Sequence, residues 1–286
     1  MALQLGSFPN LFPHSRIYEQ GSGNVRKGQS TYIVAKDGSG DFSSIDEAIK
    51  AAREGGTIYI KEGTYTEKNL SLTTNNITLQ GTGKNTIVQL HSTLSGTLLA
   101  ITAKGIVIDG IYFIKGSSSA SLAINVNNGY SFEAIIKNCW FDTITTGIKI
   151  VDSWGVIVQN CIFASGTMTT GIQITNTTGN LCGSHSINSC VFRDFNGASD
   201  IAIHLLRGSA DPLDTVAVNS IVGNIILEGG SVVITVTNSG NNVFLGNAFA
   251  NGTLKINSGT NNIIVGNTAT VSDSGTTTEL WGNQIY

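Results

Sequence analysis

Charged side chains are scarce in this chain, and the densest group of them lies between positions 193 and 214. Arg193, Asp194, Asp200, His204, Arg207, Asp211 and Asp214 fall there, while Asp, Glu, Lys and Arg together make up only 12% of the 286 residues. In this cluster His204 or Arg207 suits the work of a base or a carboxylate clamp for an acidic sugar. Asp194 and Asp200 suit protonation of a leaving group or the holding of a cation. The same residues also read as a solubilised loop with local Asp turns and ordinary ion pairs, Asp211 before Pro212 being typical. Spacing alone does not separate the two readings. The expected catalytic set is His204, Asp200, Asp194 and Arg207, with Asp211 as a binding contact. A second group, Lys149, Asp152, Trp154 and Gln173, suits sugar binding, since an indole face stacks on a pyranose ring. No resident cofactor is expected, Ca2+ being the one cation these acids would suit. The expected partner is a polysaccharide or surface glycan.

Composition excludes several other classes. A net charge of −3 without basic runs argues against a nucleic-acid footprint. No apolar run approaches the roughly 18 residues needed to span a bilayer, so no membrane partner is expected. Cys139, Cys161 and Cys190 recur at one place in successive repeats and read as buried thiols, small hydrophobes rather than disulfides; Cys182 stands apart. Met1 to Gly6 has neither the basic start nor the apolar core of a secretory signal. Either a leader has been removed, or the chain reaches an extracellular or virion surface by another route.

These side chains must be positioned by a repeat. Val156 to Phe163 reads as strand, polar corner, strand, and it has relatives at 135–141, 186–192, 106–113, 242–249 and 263–269. The corner residues Gly110, Asn138, Asn160, Ser189, Gly246 and Gly266 are separated by 28, 22, 29, 57 and 20 positions. The 57 reads as two steps with a degenerate rung near Val216 to Ser220, and such periods belong to solenoids. A third strand per repeat is legible at 122–124, 147–150, 171–174, 201–203, 232–234 and 254–256. Three short strands per repeat predict an all-β chain folded as a single-stranded parallel β-helix of about eight or nine rungs. Ser44 and Glu47 read as a capping box opening a short amphipathic helix that ends at Gly55 and Gly56 and closes the first rung. The expected organisation is an irregular arm over residues 1–30, a strand and capping helix over 31–56, and the β-helix over 57–286. Phe8, Leu11 and Phe12 of the arm suit contact with a sister subunit in a homo-oligomer.

The stretches Val34 to Ile49, Glu62 to Glu67 and Ile77 to Gly83 resemble the opening of pectin methylesterases, within the pectate-lyase-like superfamily of right-handed parallel β-helices. The resemblance implies that fold, with a substrate groove over the outer face of the third strands. It would also imply a Gln-Asp pair, an Asp-Phe-Ile-Phe-Gly run and an Arg-Pro-Trp element further on, and none of these stands in this chain. On the groove face two outward rows are expected. One is Lys149, Gln173, Ala202, Val233 and Lys255; the other is Asn125, Val151, Thr175, His204, Thr235 and Asn257. Neither contains a carboxylate, whereas glycoside hydrolysis by the usual route needs two. The missing elements and the carboxylate-free face favour a non-catalytic surface or virion β-helix, structural or glycan-binding. The alternative is a carbohydrate-active enzyme, lyase or hydrolase, acting on acidic polysaccharide through the His204 cluster.

Overall fold

The computed structural model describes residues 31–283 apart from 117–118, 128–132, 165, 178–179, 181, 196, 198, 208–215, 228–233 and 277. The expected arm over residues 1–30 and Asp211 and Asp214 therefore lie outside the described residues. What is described is a right-handed parallel β-helix. The first strands of successive coils form one eleven-stranded parallel sheet, starting at Thr31–Val34 and ending at Glu279–Trp281. The second and third strands belong to one sixteen-stranded sheet, because Ala248–Ile256 runs through the corner that separates them in earlier coils. Fusing those strands removes a turn, which is why the step from Gly246 to Gly266 is the shortest. The 57-residue gap contains one further corner at Gly223, between strands Ser220–Val222 and Ile225–Ile226. It lies a few residues beyond the degenerate rung expected near Val216 to Ser220.

Each corner needs a left-handed residue, and the sequence supplies one that tolerates it. Gly110, Asn138, Asn160, Ser189, Gly223, Gly246 and Gly266 have φ of 64°, 52°, 52°, 53°, 61°, 61° and 61°. Inward residues stack coil on coil. Phe113, Phe141, Phe163 and Phe192 form a column of parallel rings with centroids 5.4, 4.7 and 4.7 Å apart, each pair contributing roughly 0.5–1.5 kcal/mol beyond burial. The rings demand glycine across the bore. A Cβ on Gly147 would meet the Phe163 ring at 2.7 Å, and one on Gly171 the Phe192 ring at 2.8 Å.

The first coil is covered by the helix Ile45–Ala51, which buries Ile45, Ala48 and Ile49. Its cap differs from the expected box. Ser44 makes no side-chain cap bond. Instead the buried Glu67 carboxylate, from strand Gly63–Glu67, accepts from Ile45 N at 2.8 Å, Ser44 Oγ at 2.8 Å and Asp46 N at 3.4 Å. An acid at a helix start is favoured by the orphan amides and the helix dipole; here tertiary structure brings it from the second strand after the helix. The helix also stops at Ala51, short of Gly55.

Candidate functional site

Strand pairing fixes the outward row on the third-strand face. Ser71 pairs with Ala100, and the row continues through Asn125, Lys149, Gln173, His204, Thr235 and Lys255 to Ser272. The two expected rows thus give way to one through these side chains. Ala202 is fully buried, next to the equally buried Ile203; alternation sets in from Ile203, with Leu205 inward and His204 and Leu206 turned out. His204, two residues further on, stands opposite Gln173. Val151, Thr175, Leu206 and Thr237 form the adjacent line. Val233 lies outside the described residues.

A groove of about 400 Å³ opens over the His204, Thr235 and Lys255 part of this row, lined also by Ser199, Leu206 and Asn257. Burial lowers the pKa of His204 below the ordinary histidine value, so its imidazole is neutral near neutral pH. Lys255 lies two rungs away on the same row. The larger hollow, of about 650 Å³, lies beside the capping helix, and its most buried acid, Glu67, is already spent on the helix cap.

The other expected residues fall in three places. Asp200 is buried, and its Oδ2 accepts from Gly197 N at 2.7 Å, so the carboxylate closes its own loop while Ser199 beside it reaches the groove. Asp194 sits at a left-handed corner with φ of 65° and pairs loosely with the exposed Arg193 at 4.0 Å. Arg207 follows the His204 strand, its N–H donating to Thr237 O at 3.1 Å; its Nε is buried and has no partner. Asp152 does not share a platform with Lys149. It is buried, and its carboxylate accepts from Thr177 N at 2.7 Å, Thr177 Oγ1 at 2.6 Å and Asn180 Nδ2 at 3.2 Å. Trp154, half-buried, bridges to Gly183 through its backbone. Among the described residues, no three of His, Cys, Asp and Glu gather closely enough to hold a metal ion.

One pairing escaped the sequence. Cys182 Sγ lies 3.3 Å from His185 Nε2, and His185 Nδ1 accepts from Val156 N at 3.1 Å. The bond at Nδ1 places the proton on Nε2, aimed at the sulfur. This is no activated thiol. Burial pushes Cys182 up to about 12 and His185 down to about 3, so both stay neutral inside the bore.

Residues 31–147 match the Pectinesterase family model. A probable pectinesterase of Arabidopsis thaliana is 37% identical over 117 residues, which cover 39% of this chain and 35% of that relative. The match thus spans about a third of the relative's length. Among solved structures, an alginate lyase from Paenibacillus superposes over 83% of this chain and 94% of its own at a TM-score of 0.61 and 15% identity. A Geobacillus virus E2 protein superposes over 89% and 60% at 0.58 and 15%. At such identity these two show the fold alone. The fold is that of the pectate-lyase-like β-helices. The expectation of a non-catalytic structural or glycan-binding protein is corrected by the family match and the pectinesterase relative, which point to a carbohydrate-active enzyme. A β-helix can carry chemistry on coils other than those its relatives use, so the missing motifs do not by themselves remove activity. The groove around His204 lies beyond the matched segment. No helix among the described residues is long and apolar enough to cross a membrane.

Proposed function

We propose that this protein is a carbohydrate-active enzyme that cleaves an acidic polysaccharide by β-elimination, with His204 as the base. The observation that carries this reading is a neutral, half-buried imidazole in a groove that it shares with Lys255, on a row without a carboxylate. Two-carboxylate hydrolysis has no residues to run on there, whereas elimination needs only a base and positive charge on the uronate. Lys255 and Arg207 would pair with the sugar carboxylate and acidify the ring proton beside it. His204 takes that proton, the C4–O bond breaks, a C4–C5 double bond forms, and the leaving oxygen is protonated from solvent. Kinship with pectinesterases over residues 31–147 supports a carbohydrate substrate. The motifs absent from this chain weigh against ester hydrolysis. An extracellular or virion-surface setting, where such polymers are met, belongs to the same proposal.

Polygalacturonate, alginate and pectin offered in turn test it. Unsaturated product is expected, with a rate that rises with pH through a value below the usual histidine range of about 6.5 and is level near neutrality. His204→Ala should lose about 100-fold or more while melting as the parent does. Ester release without chain cleavage, or turnover unchanged in His204→Ala, would sink the reading.

A further inference from the structure

Among the described residues, the strongly exposed large apolar side chains all lie between Val218 and Trp281. Leu245, Ile263 and Trp281, at 43%, 37% and 64% exposure, share the outer face of the first sheet. Strand pairing stacks the outward residues of its last four coils in two rows. One is Ser220, Val243, Ile263 and Glu279; the other is Val222, Leu245, Val265 and Trp281. Six of these eight positions are apolar. In the five coils before them every such pair holds at least one polar side chain, from Thr78 and Gln80 to Ser186 and Asn188. Aliphatic side chains around a Trp, with charge depleted, are the composition of an interface core, and a contiguous exposed apolar face marks an interaction site.

We infer that a second copy of this chain docks on that face, the two first sheets packing against each other with their coils running in opposite directions. Half a turn about an axis along the strands, midway between Val243–Leu245 and Ile263–Val265, sets Val222 against the partner's Trp281, Leu245 against the partner's Val265 and Val243 against the partner's Ile263. The largest side chain of the face thus meets one of the smallest. Glu279, the one charge among the eight, falls over the partner's Ser220, and the two Glu279 carboxylates stay at opposite ends. Half a turn about the solenoid axis would instead lay Glu279 on the partner's Trp281, a desolvated carboxylate without a partner. A two-fold contact is self-complementary by symmetry, and a face with a single charge has no charge pattern to select a foreign partner. The rotation also keeps the strands of the two sheets aligned, as packed sheets require. The face measures about 19 Å along the axis at ~4.8 Å per coil, and about 20 Å across the six residues from Val218 to Gly223 at ~3.4 Å each. Two such faces in contact cover on the order of 800 Å², the low end for a specific interface, so the pair is weak and reversible. The His204 groove lies on the third strands and stays open in both copies, and the inference does not rest on the elimination reading.

Sedimentation velocity on the full chain tests it. Half-association is expected on the order of 100 µM for so small an interface, so a concentration series spanning that value should show monomer giving way to dimer. Val222→Asp and Trp281→Lys should each weaken the dimer about tenfold or more, by placing a charge against an apolar partner. The double variant should recover it, because the new charges then face each other across the pair; within one chain they are three coils, about 14 Å, apart. High salt should weaken the double variant's dimer and spare that of the parent. All these positions point outward, so melting temperatures should stay near the parent's; Leu245→Asp, beside the axis, replaces either single variant that melts early. A monomer across the whole series would overturn the inference, and so would a trimer or single variants that dimerise as before. If the single variants dissociate and the double variant does not recover, the opposed-coil arrangement falls.

Discussion

The early and late coils close the same two corners with different chemistry. In the column at the start of each first strand, the residues run Ile77, Ile106, Ala134, Val156 and His185, then Asn219, Asn242 and Asn262. In the column after each left-handed corner they run Ile111, Cys139, Cys161 and Cys190, then Asn224, Asn247 and Asn267. All are buried. The early coils fill volume. The thiols reach only nearby carbonyls, Cys161 Sγ to Gln159 O at 3.4 Å, and burial beside Cys139 and Cys190 holds the Cys161 thiol well above its ordinary pKa. The late coils bind amide to amide: Asn224 Nδ2 donates to Asn247 Oδ1 at 2.9 Å, Asn247 Nδ2 to Asn267 Oδ1 at 2.8 Å, and backbone N–H groups follow the same acceptors. The phenylalanine column weakens where the amides begin, passing from Phe192 to Ile226. A buried polar column is tolerable only when every member is satisfied, so the two halves should fail differently.

Four substitutions sharpen or break that contrast. Phe163→Ala takes a ring out between two stacked neighbours and should cost about 4 kcal/mol, read by denaturant unfolding. Asn247→Ala removes the partner of four side-chain hydrogen bonds to the coils on either side and should cost about 3 kcal/mol, with amide exchange quickening mainly beyond residue 220. A global, uniform loss would show that the halves are not distinct. His185 marks the junction. Its folded pKa of about 3 lies below the unfolded value of about 6.5. Between those values the unfolded chain binds the extra proton, so stability falls as pH falls, by roughly 2–3 kcal/mol at about pH 4.5. His185→Asn would add one rung to the ladder of Asn219, Asn242 and Asn262 and should remove that acid loss; an unchanged acid midpoint would refute the assignment. Cys161→Ala, in a column held by volume, should cost about 1 kcal/mol with no spread to its neighbours.

The same coils differ on their outer face. On the first sheet one outward row reads Gln80, Asp109, Lys137, Gln159 and Asn188, then Val222, Leu245, Val265 and Trp281. Lys137 and Asp109 pair at 3.4 Å in the polar part, whereas Leu245 and Trp281 are 43% and 64% exposed.

Much of this architecture is legible in the amino-acid sequence. The left-handed corners are residues that tolerate positive φ, and their spacing counts the coils. The late amide column is also written there, as Gly-Asn at 223–224, 246–247, 266–267 and 282–283. That signal belongs to position within a coil, which a reading for charge passes over. The candidate site is half legible. His204, Lys149, Gln173 and Lys255 stand out as groove-face residues, but their order on one row depends on where a strand ends, and a slip of two residues moves Ala202 into the place of His204.

Local chemistry in the sequence therefore determined the solenoid: period, corner residues and alternating strands each specify backbone geometry a few residues at a time. Contacts between residues twenty or thirty positions apart were decided only in three dimensions. Stacking put Glu67 on the helix start, turned Asp152 and Asp200 into their own loops, buried Cys182 against His185, and left Asn125 Oδ1 and Thr235 Oγ1 without a hydrogen-bond partner on one face. The reason is physical: period fixes which coil a residue joins, but only the packed coils decide which polar group finds a partner.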